Sequence, residues 1–255
     1  MIDSRRPLSA PLPRSATAGP IGNRLLGALP PLARKRLFAA GESIQLLPSE
    51  VLHRAGARLH HIYFPTDGFV SMVMPAESCA GIEVDVVGRE GMIGISMLIG
   101  VAESSLHHVV HSAGGAFRIS AAGFCRELKR NRAMRTRLGR YAHVYLYELA
   151  QIAACIRFHT VEQRLARWLL MAHDRAWPDP LCATHLSLAK ALGVRRAGVT
   201  DAAAALQRDG LIRYSRGGIS ILDRAGLQAR SCGCYAAAGK MYEKMLGTAD
   251  SALQD

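Results

Sequence analysis

Residues 186–222 contain the pattern that most constrains the fold of this chain. A helical stretch, LSLAKALG, leads to a turn at Gly193-Val194, and a second helical stretch, RRAGVTDAAAALQRDG, follows it. The next segment, LIRYSRGGISIL, predicts a β-hairpin with a Gly-Gly turn. Helix, turn, helix and hairpin in this order predict a winged helix-turn-helix. The small residues Ala202–Ala205 allow close packing of the second helix, with Val199 and Leu206 as its apolar anchors.

The first turn of the second helix carries two adjacent arginines. Recognition helices meet DNA base edges at this position, and one arginine can bind guanine O6 and N7 together, which is worth about 1–3 kcal/mol of discrimination. Asp201 would repel phosphate there, so we expect it to hold Arg196 or to reject a wrong base. The candidate DNA-binding residues are Ser187, Arg195, Arg196 and Thr200, with Arg213 and Arg216 beside the Gly217-Gly218 turn as phosphate contacts.

The N-terminal half of the chain has a residue pattern typical of β-strands. Short β-branched and aromatic runs such as HHIYFPTDGFVSMVM and LHHVVHSAGGAFRIS are interrupted by glycine, and Asp67-Gly68 marks one turn. Turn residues every 8–12 positions are typical of an antiparallel sandwich or barrel. The predicted fold class is therefore α+β: an antiparallel β-roll, a long helix and a C-terminal winged helix-turn-helix.

A heptad seam lies between these two parts of the chain. Its apolar residues are spaced 4-3-4-3-4 and are Leu138, Ala142, Tyr145, Leu149, Ile152 and Ile156. This stripe predicts a helix over 125–157 that packs either along its own β-domain or against a second copy. Thr160–Gln163 then form a capping-box pattern that opens a new helix. The predicted parts are a disordered tail at 1–22, a β-roll at 23–124, the dimerisation helix at 125–157, the winged helix-turn-helix at 158–226 and a helical tail at 227–255.

The net charge of +12 is unevenly distributed. Residues 1–36 carry +6 and residues 159–230 carry +5, whereas the middle of the chain is nearly neutral. Two basic regions predict a polyanionic partner, double-stranded DNA. No run of about 18 apolar residues and no signal-peptide pattern is present, so we expect no membrane association. Six irregularly spaced cysteines suggest reduced thiols in a cytoplasmic protein.

In their combination and order, four segments resemble the Crp/Fnr family of bacterial transcription regulators. They are HIYFPTDGFVSMV, VDVVGREGMIGISMLIG, TVEQRLARWLLMAHDR and LAKALGVRRAGVTDAAAALQRDGLIRYSRGGISILD. The resemblance implies a homodimer with a cyclic-nucleotide-binding-like sensor domain, a two-fold symmetric operator, and RNA polymerase as a further partner. Arg196 matches the family's base-reading arginine. Ala197 and Asp201 depart from the family pattern, where glutamate and a second arginine are usual.

Family members that bind cyclic AMP use a glutamate for the ribose and an arginine for the phosphate. Ser104-Ser105 and Ile95-Ser96 stand at the corresponding positions here, so a buried phosphate would lack its cation. We therefore expect no control by cyclic AMP; a cyclic-nucleotide-dependent regulator with a divergent pocket is an alternative. The candidate effector-pocket residues are Arg89, Glu90, Gly91, Gly94, Ser104 and Ser105.

Metal chemistry finds little support in the sequence. Residues 1–78 contain no cysteine, unlike the iron–sulfur members of the family, and Cys232-Gly-Cys234 with Cys155 or Cys182 is a poor zinc signature. Histidines at strand edges are more often solvated or hydrogen-bonded than metal ligands, and this applies to His60, His61, His107, His108 and His111. We expect no metal and no cofactor, with a redox- or metal-responsive regulator that uses Cys and His residues as the alternative.

An enzyme and a simple scaffold are the competing functional classes. Cys155 and His159 have the i, i+4 spacing of a thiolate–imidazole pair, but no third group orients them and no hydrolase motif is present. We expect no catalysis. A dimerisation scaffold that does not bind DNA stays open, because of Asp201.

Overall fold

The computed structural model describes residues 22–76, 79–176, 181–215 and 218–247. The predicted disordered tail lies, apart from Gly22, outside these residues. Two short helices come first, α1 (Arg24–Gly27) and α2 (Pro31–Ala39). In the described part of the chain, no helix is both long and apolar enough to cross a membrane.

Among the described residues, seven antiparallel strands form two sheets that enclose the N-terminal core. One sheet has the order β1-β7-β3 and the other β2-β6-β4-β5, which confirms the predicted antiparallel β-roll. The Asp67-Gly68 turn is also confirmed: Gly68 has φ +69°, and a Cβ there would lie 2.5 Å from the Ser112 carbonyl oxygen. The strands are β1 (Gly41–Leu46), β2 (Val51–His53), β3 (His61–Pro65), β4 (Phe69–Ala76), β5 (Cys79–Val87), β6 (His107–Ser112) and β7 (Gly114–Ser120).

The segment predicted as one helix over 125–157 contains two helices. They are α3 (Ala121–Arg130) and α4 (Arg132–Phe158), separated at Asn131. Asn131 has extended backbone dihedrals (φ −129°, ψ 100°), and its side-chain oxygen accepts a hydrogen bond from the Met134 amide at 2.9 Å. A side-chain cap of this kind begins a new helix, which is why the single-helix prediction was wrong at this point.

The C-terminal domain is a winged helix-turn-helix, as predicted. Its first helix begins at the predicted capping box, in which Thr160 and Gln163 bond reciprocally. A three-stranded sheet of order β8-β10-β9 forms the wing. The elements are α5 (Val161–Arg175), β8 (Leu181–Cys182), α6 (His185–Leu192), α7 (Arg196–Arg208), β9 (Ile212–Ser215) and β10 (Gly218–Ile221).

The last two helices connect the domains. The first, α8 (Arg224–Arg230), packs on α5, and α9 (Cys234–Leu246) returns along α4 to the β-roll. Tyr242 and Leu246 are buried in the β-roll core, and the Tyr242 hydroxyl donates to the Glu90 carbonyl oxygen at 2.9 Å. The predicted C-terminal helical tail is thus part of the N-terminal domain's packing.

A buried ion cluster lies where β-roll, α4 and α5 meet. The Arg175 guanidinium contacts Glu90 Oε1 at 2.7 Å and Glu148 Oε1 at 3.5 Å. Burial lowers the pKa of Arg175, but the nearby carboxylates of Glu90 and Glu148 raise it by more, so it stays charged. Burial also raises the pKa of Asp85, helped by the Glu148 charge. One cation therefore holds together carboxylates from two other elements.

A second buried polar pair lies inside the β-roll. His53 Nδ1 and His108 Nδ1 are 2.9 Å apart, and His53 Nε2 donates to the His61 carbonyl oxygen at 2.9 Å. With Nε2 donating, Nδ1 of neutral His53 can accept a hydrogen bond from His108 Nδ1–H. Burial lowers the pKa of His53 to about 4 and that of His108 to about 3. Both rings are therefore neutral at pH 7, since two imidazolium groups would place N–H against N–H.

We predict that acid destabilises the β-roll through this pair. The unfolded chain protonates both histidines near pH 6.5 while the folded chain does not, so stability falls as the pH drops from about 6.5 towards the folded-state pKa values. Each pKa unit corresponds to about 1.4 kcal/mol, giving a loss of roughly 3 kcal/mol for each histidine by pH 4.

The measurement is urea unfolding of the wild type and of His108→Asn at several pH values. Asparagine keeps a donor for His53 but does not titrate, so part of the acid sensitivity should disappear. Equal pH profiles for both proteins would contradict the prediction.

Candidate DNA-binding interface

The turn between α6 and α7 sets the geometry of the helix-turn-helix. Gly193 ends α6 in the left-handed conformation (φ 62°, ψ 39°), and its amide bonds the carbonyl oxygens of Ala189 and Lys190. A glycine adopts this conformation without the steric cost that a side chain brings. The chain then turns sharply, and α7 begins three residues later, at Arg196.

One face of α7 is buried against the rest of the domain. Val199 and Leu206 are completely buried, and Ala202 and Ala203 lie beside them in the same core as α5. The sequence predicted close packing for Ala202–Ala205. Ala204 is exposed, so only part of this run packs against the domain core.

The opposite face of α7 presents its first turn to solvent. Arg195, Arg196 and Thr200 are exposed, and neither arginine makes an ion pair or side-chain hydrogen bond with another described residue. Asp201 is exposed as well and does not pair with Arg196 within the described part of the chain. Both guanidinium groups are thus available to an external partner.

Other arginines of the domain are used inside the protein. Arg164 donates to the Leu192 carbonyl oxygen at the end of α6. Arg224 binds Asp174 at 2.6 Å, and Arg230 bridges Glu162 and Asp209. The exposed basic residues without such contacts among the described residues are Lys190, Arg195, Arg196, Arg208 and Arg213. Intramolecular pairing therefore leaves positive charge on the helix-turn-helix and on the first wing strand.

The hydroxyl groups of two predicted DNA-contact residues, Ser187 and Thr200, form hydrogen bonds within the protein. Ser187 Oγ accepts from the Thr184 amide at 2.9 Å and donates to the Thr184 carbonyl oxygen, which caps α6. Thr200 Oγ1 donates to the Arg196 carbonyl oxygen and lies 3.0 Å from His185 Nδ1. Arg213 is exposed on β9, whereas Arg216 and Gly217 lie outside the described residues.

His185 and Lys190 were missed at the level of sequence. The His185 ring lies 4.4 Å from the Tyr214 ring and so connects α6, α7 and the wing. Lys190 is exposed in the last turn of α6. The first helix of a helix-turn-helix crosses the DNA backbone, which was the available signal for this lysine.

The candidate effector residues do not form one polar site. Glu90 binds Arg175 and belongs to the junction of the two domains. Gly91 packs against the Tyr141 hydroxyl of α4, and Gly94 against Ile62 of β3. Ser104 is buried and donates to the Leu106 carbonyl oxygen at 2.6 Å, while Arg89 and Ser105 are exposed. The two candidates with buried polar side-chain groups, Glu90 and Ser104, already bond within the protein.

The predicted heptad seam lies on two surfaces of α4. Leu138 and Tyr145 are buried against the chain's own β-roll, and Ala142, Leu149 and Ile152 are half-buried. Ile156 is 58% exposed. The sequence left open whether this stripe packs on the chain's own β-domain or on a second copy. For Leu138 and Tyr145, the structure shows packing on the chain's own β-domain.

Residues 163–230 match the family model of the Crp-like helix-turn-helix domain. No curated protein matches the chain in sequence. Among solved structures, FixK2 from Bradyrhizobium japonicum is 13% identical with a TM-score of 0.64, covering 75% of this chain and 98% of that one.

Two regulators from Thermus thermophilus are also similar. One, of the CRP family, is 20% identical with a TM-score of 0.60 over 74% of this chain and 96% of its own. The other, of the CRP/FNR family, is 22% identical with a TM-score of 0.57 over 74% and 98%. These likenesses show the fold, and the family model shows the DNA-binding domain. We therefore identify residues 163–230 as a Crp-like helix-turn-helix domain, in a chain that shares the fold of these solved regulators.

Proposed function

We propose that this regulator acts as a homodimer that reads a two-fold symmetric DNA operator through the first turn of α7. The observation that carries the proposal is the pair Arg195 and Arg196, exposed at the start of the recognition helix and unpaired within the described residues. A free guanidinium can bind a guanine edge without first breaking an internal ion pair. Arg213 and Lys190 add phosphate contacts on either side.

The exposed face of α4 supports dimerisation. A stripe with 4-3-4-3 spacing lies one position after the predicted seam, and all its members are exposed. It consists of Gly139, His143, Leu146, Ala150 and Ala153. Leu146 is 64% exposed and the others are small or only weakly polar, as suits two closely packed helices. We propose a second copy of this chain as the partner of the face, with half-sites about 10–10.5 bp apart.

We further propose that cyclic AMP does not control the protein. In support, the Ser104 hydroxyl bonds to the backbone, and the charged side chain of Glu90 is held by Arg175. No arginine occupies position 104 or 105 to neutralise a cyclic phosphate. A signal would instead act by favouring one relative position of the two recognition helices over another.

Arg196→Ala should weaken specific binding about 10- to 100-fold and relax the preference at one base pair of each half-site. The reason is the loss of a bidentate arginine–guanine contact, worth about 1–3 kcal/mol. Fluorescence anisotropy with a selected operator measures this loss. The matched control is Arg36→Ala, which removes the same charge from an exposed position on α2. Unchanged affinity and consensus for Arg196→Ala would support the scaffold alternative.

Leu146→Asp should shift the protein from dimer to monomer, because a carboxylate in a packed helix–helix seam lacks a partner. Analytical ultracentrifugation measures the change. Leu47→Asp is the control, since Leu47 is 65% exposed in the loop after β1. A Leu146→Asp protein that stays dimeric would place the interface elsewhere.

Selection of operators from random duplex DNA tests the effector proposal. We expect the same two-fold symmetric consensus with and without cyclic AMP. A consensus that emerges only with cyclic AMP would show that the pocket binds the nucleotide in another way.

A further inference from the structure

Four potential metal ligands meet where α4 ends and α9 begins. Cys155 and His159 lie one turn apart on the last turn of α4 and its cap, so they share a face. Cys232 and Cys234 flank Gly233, which begins α9. We call these four residues the Cys₃His cluster. Its two halves are more than 70 residues apart in sequence, so the fold alone brings them together.

The distances in the Cys₃His cluster suit a single ion. Cys155 Sγ lies 3.5 Å from Cys232 Sγ, and Cys234 Sγ lies 3.7 Å from His159 Nδ1. All four ligand atoms are within 4.8 Å of one another. A tetrahedral Zn²⁺ with bonds of about 2.3 Å to sulfur and 2.0–2.1 Å to nitrogen separates its ligand atoms by about 3.5–3.8 Å. A four-iron cluster would bind each ligand to a different iron, and this set is too compact for that.

The surroundings also favour bound metal over inert thiols. The three cysteines are buried and form a small cluster of their own, apart from the three larger cores. Their sulfurs are not joined, since 3.5 Å is far longer than a disulfide bond of about 2.05 Å. A metal ion would use the three thiols and the half-buried imidazole as its ligands.

A buried cation faces the Cys₃His cluster. Arg167 of α5 is 7% exposed, and its Nε and Nη2 have no hydrogen-bond partner among the described residues. The sulfur–sulfur contact with Cys232 and burial raise the pKa of Cys155, and burial raises the pKa of Cys234, whereas the Arg167 charge opposes both effects. Three thiolates and one Zn²⁺ sum to a charge of −1, which the guanidinium would balance. The carboxylates of Asp85 and Glu148 also act on this guanidinium, but they do not bond its Nε and Nη2.

We propose that Cys155, His159, Cys232 and Cys234 bind one Zn²⁺ ion in a closed, four-coordinate structural site. The ion would join the end of α4 to the α8–α9 connection and so fix the angle between the long helix and the DNA-binding domain. The sequence led us to expect no metal, because C-x-C alone is a weak signature. The link to operator binding depends on the proposed function, but metal binding itself does not.

The test is Co²⁺ titration of the full chain after metal removal under reducing conditions, followed by absorption spectroscopy. We expect one Co²⁺ per chain, with thiolate-to-metal charge transfer and four-coordinate ligand-field bands, and displacement by Zn²⁺. Cys232→Ser and Cys234→Ser should lower the affinity about 100-fold or more, since even outer-shell changes cost 10- to 100-fold. Cys125→Ser is the control, because Cys125 is a free thiol on α3 outside the cluster.

His159→Asn guards against variants that fail to fold, because asparagine suits a helix-end position. It should retain the circular dichroism of the wild type, bind Co²⁺ more weakly and change the ligand-field bands. Three results would overturn the proposal: no metal bound by the reduced wild type, undiminished binding in both cysteine variants, or a Cys155–Cys232 disulfide in place of bound metal.

Discussion

The buried guanidinium of Arg175 is the contact on which the arrangement of the domains depends. It comes from α5, yet its partners are Glu90 of the β-roll and Glu148 of α4. Without a cation at this point, these carboxylates and Asp85 would share one poorly hydrated space, a costly arrangement. These ion pairs also fix the orientation of the carboxylates, because the N–H donors of a guanidinium lie in a rigid plane. The position of the DNA-binding domain relative to the β-roll is therefore defined electrostatically as well as by apolar packing.

Local signals were sufficient to predict most elements of the fold. Thr160 and Gln163 define a helix start through atoms three residues apart, Gly193 defines a turn by its own dihedrals, and Asp67-Gly68 marks the turn between β3 and β4. None of these requires knowledge of distant residues. The exposed arginines at the start of α7 were predictable for the same reason, since their position in the helix fixes the side that they face.

Features that depend on distant partners were not predictable in the same way. The seam through Leu138 and Tyr145 has the right spacing for a dimer, but the β-roll already covers these two residues. Which side of α4 the roll occupies depends on its contacts with β5 and other segments that are distant in sequence. Similarly, Glu90 was a candidate effector ligand until Arg175 appeared beside it, and Cys155 and Cys232 came together only in the folded chain. The spacing of residues in the sequence identifies an apolar helix face, but the partner that packs on this face depends on the tertiary fold.

The return of α9 to the β-roll bears on the order in which the chain acquires its structure. Leu25 and Leu26 near the start of the described residues share a core with Tyr242 and Leu246, more than 200 residues later. During synthesis, the N-terminal domain emerges long before these last members of its core. The core of the N-terminal domain therefore stays incompletely packed until the DNA-binding domain and α9 have been synthesised. A ribosome stalled before α9 would thus hold a chain with complete strands and an exposed apolar groove, a natural target for chaperones.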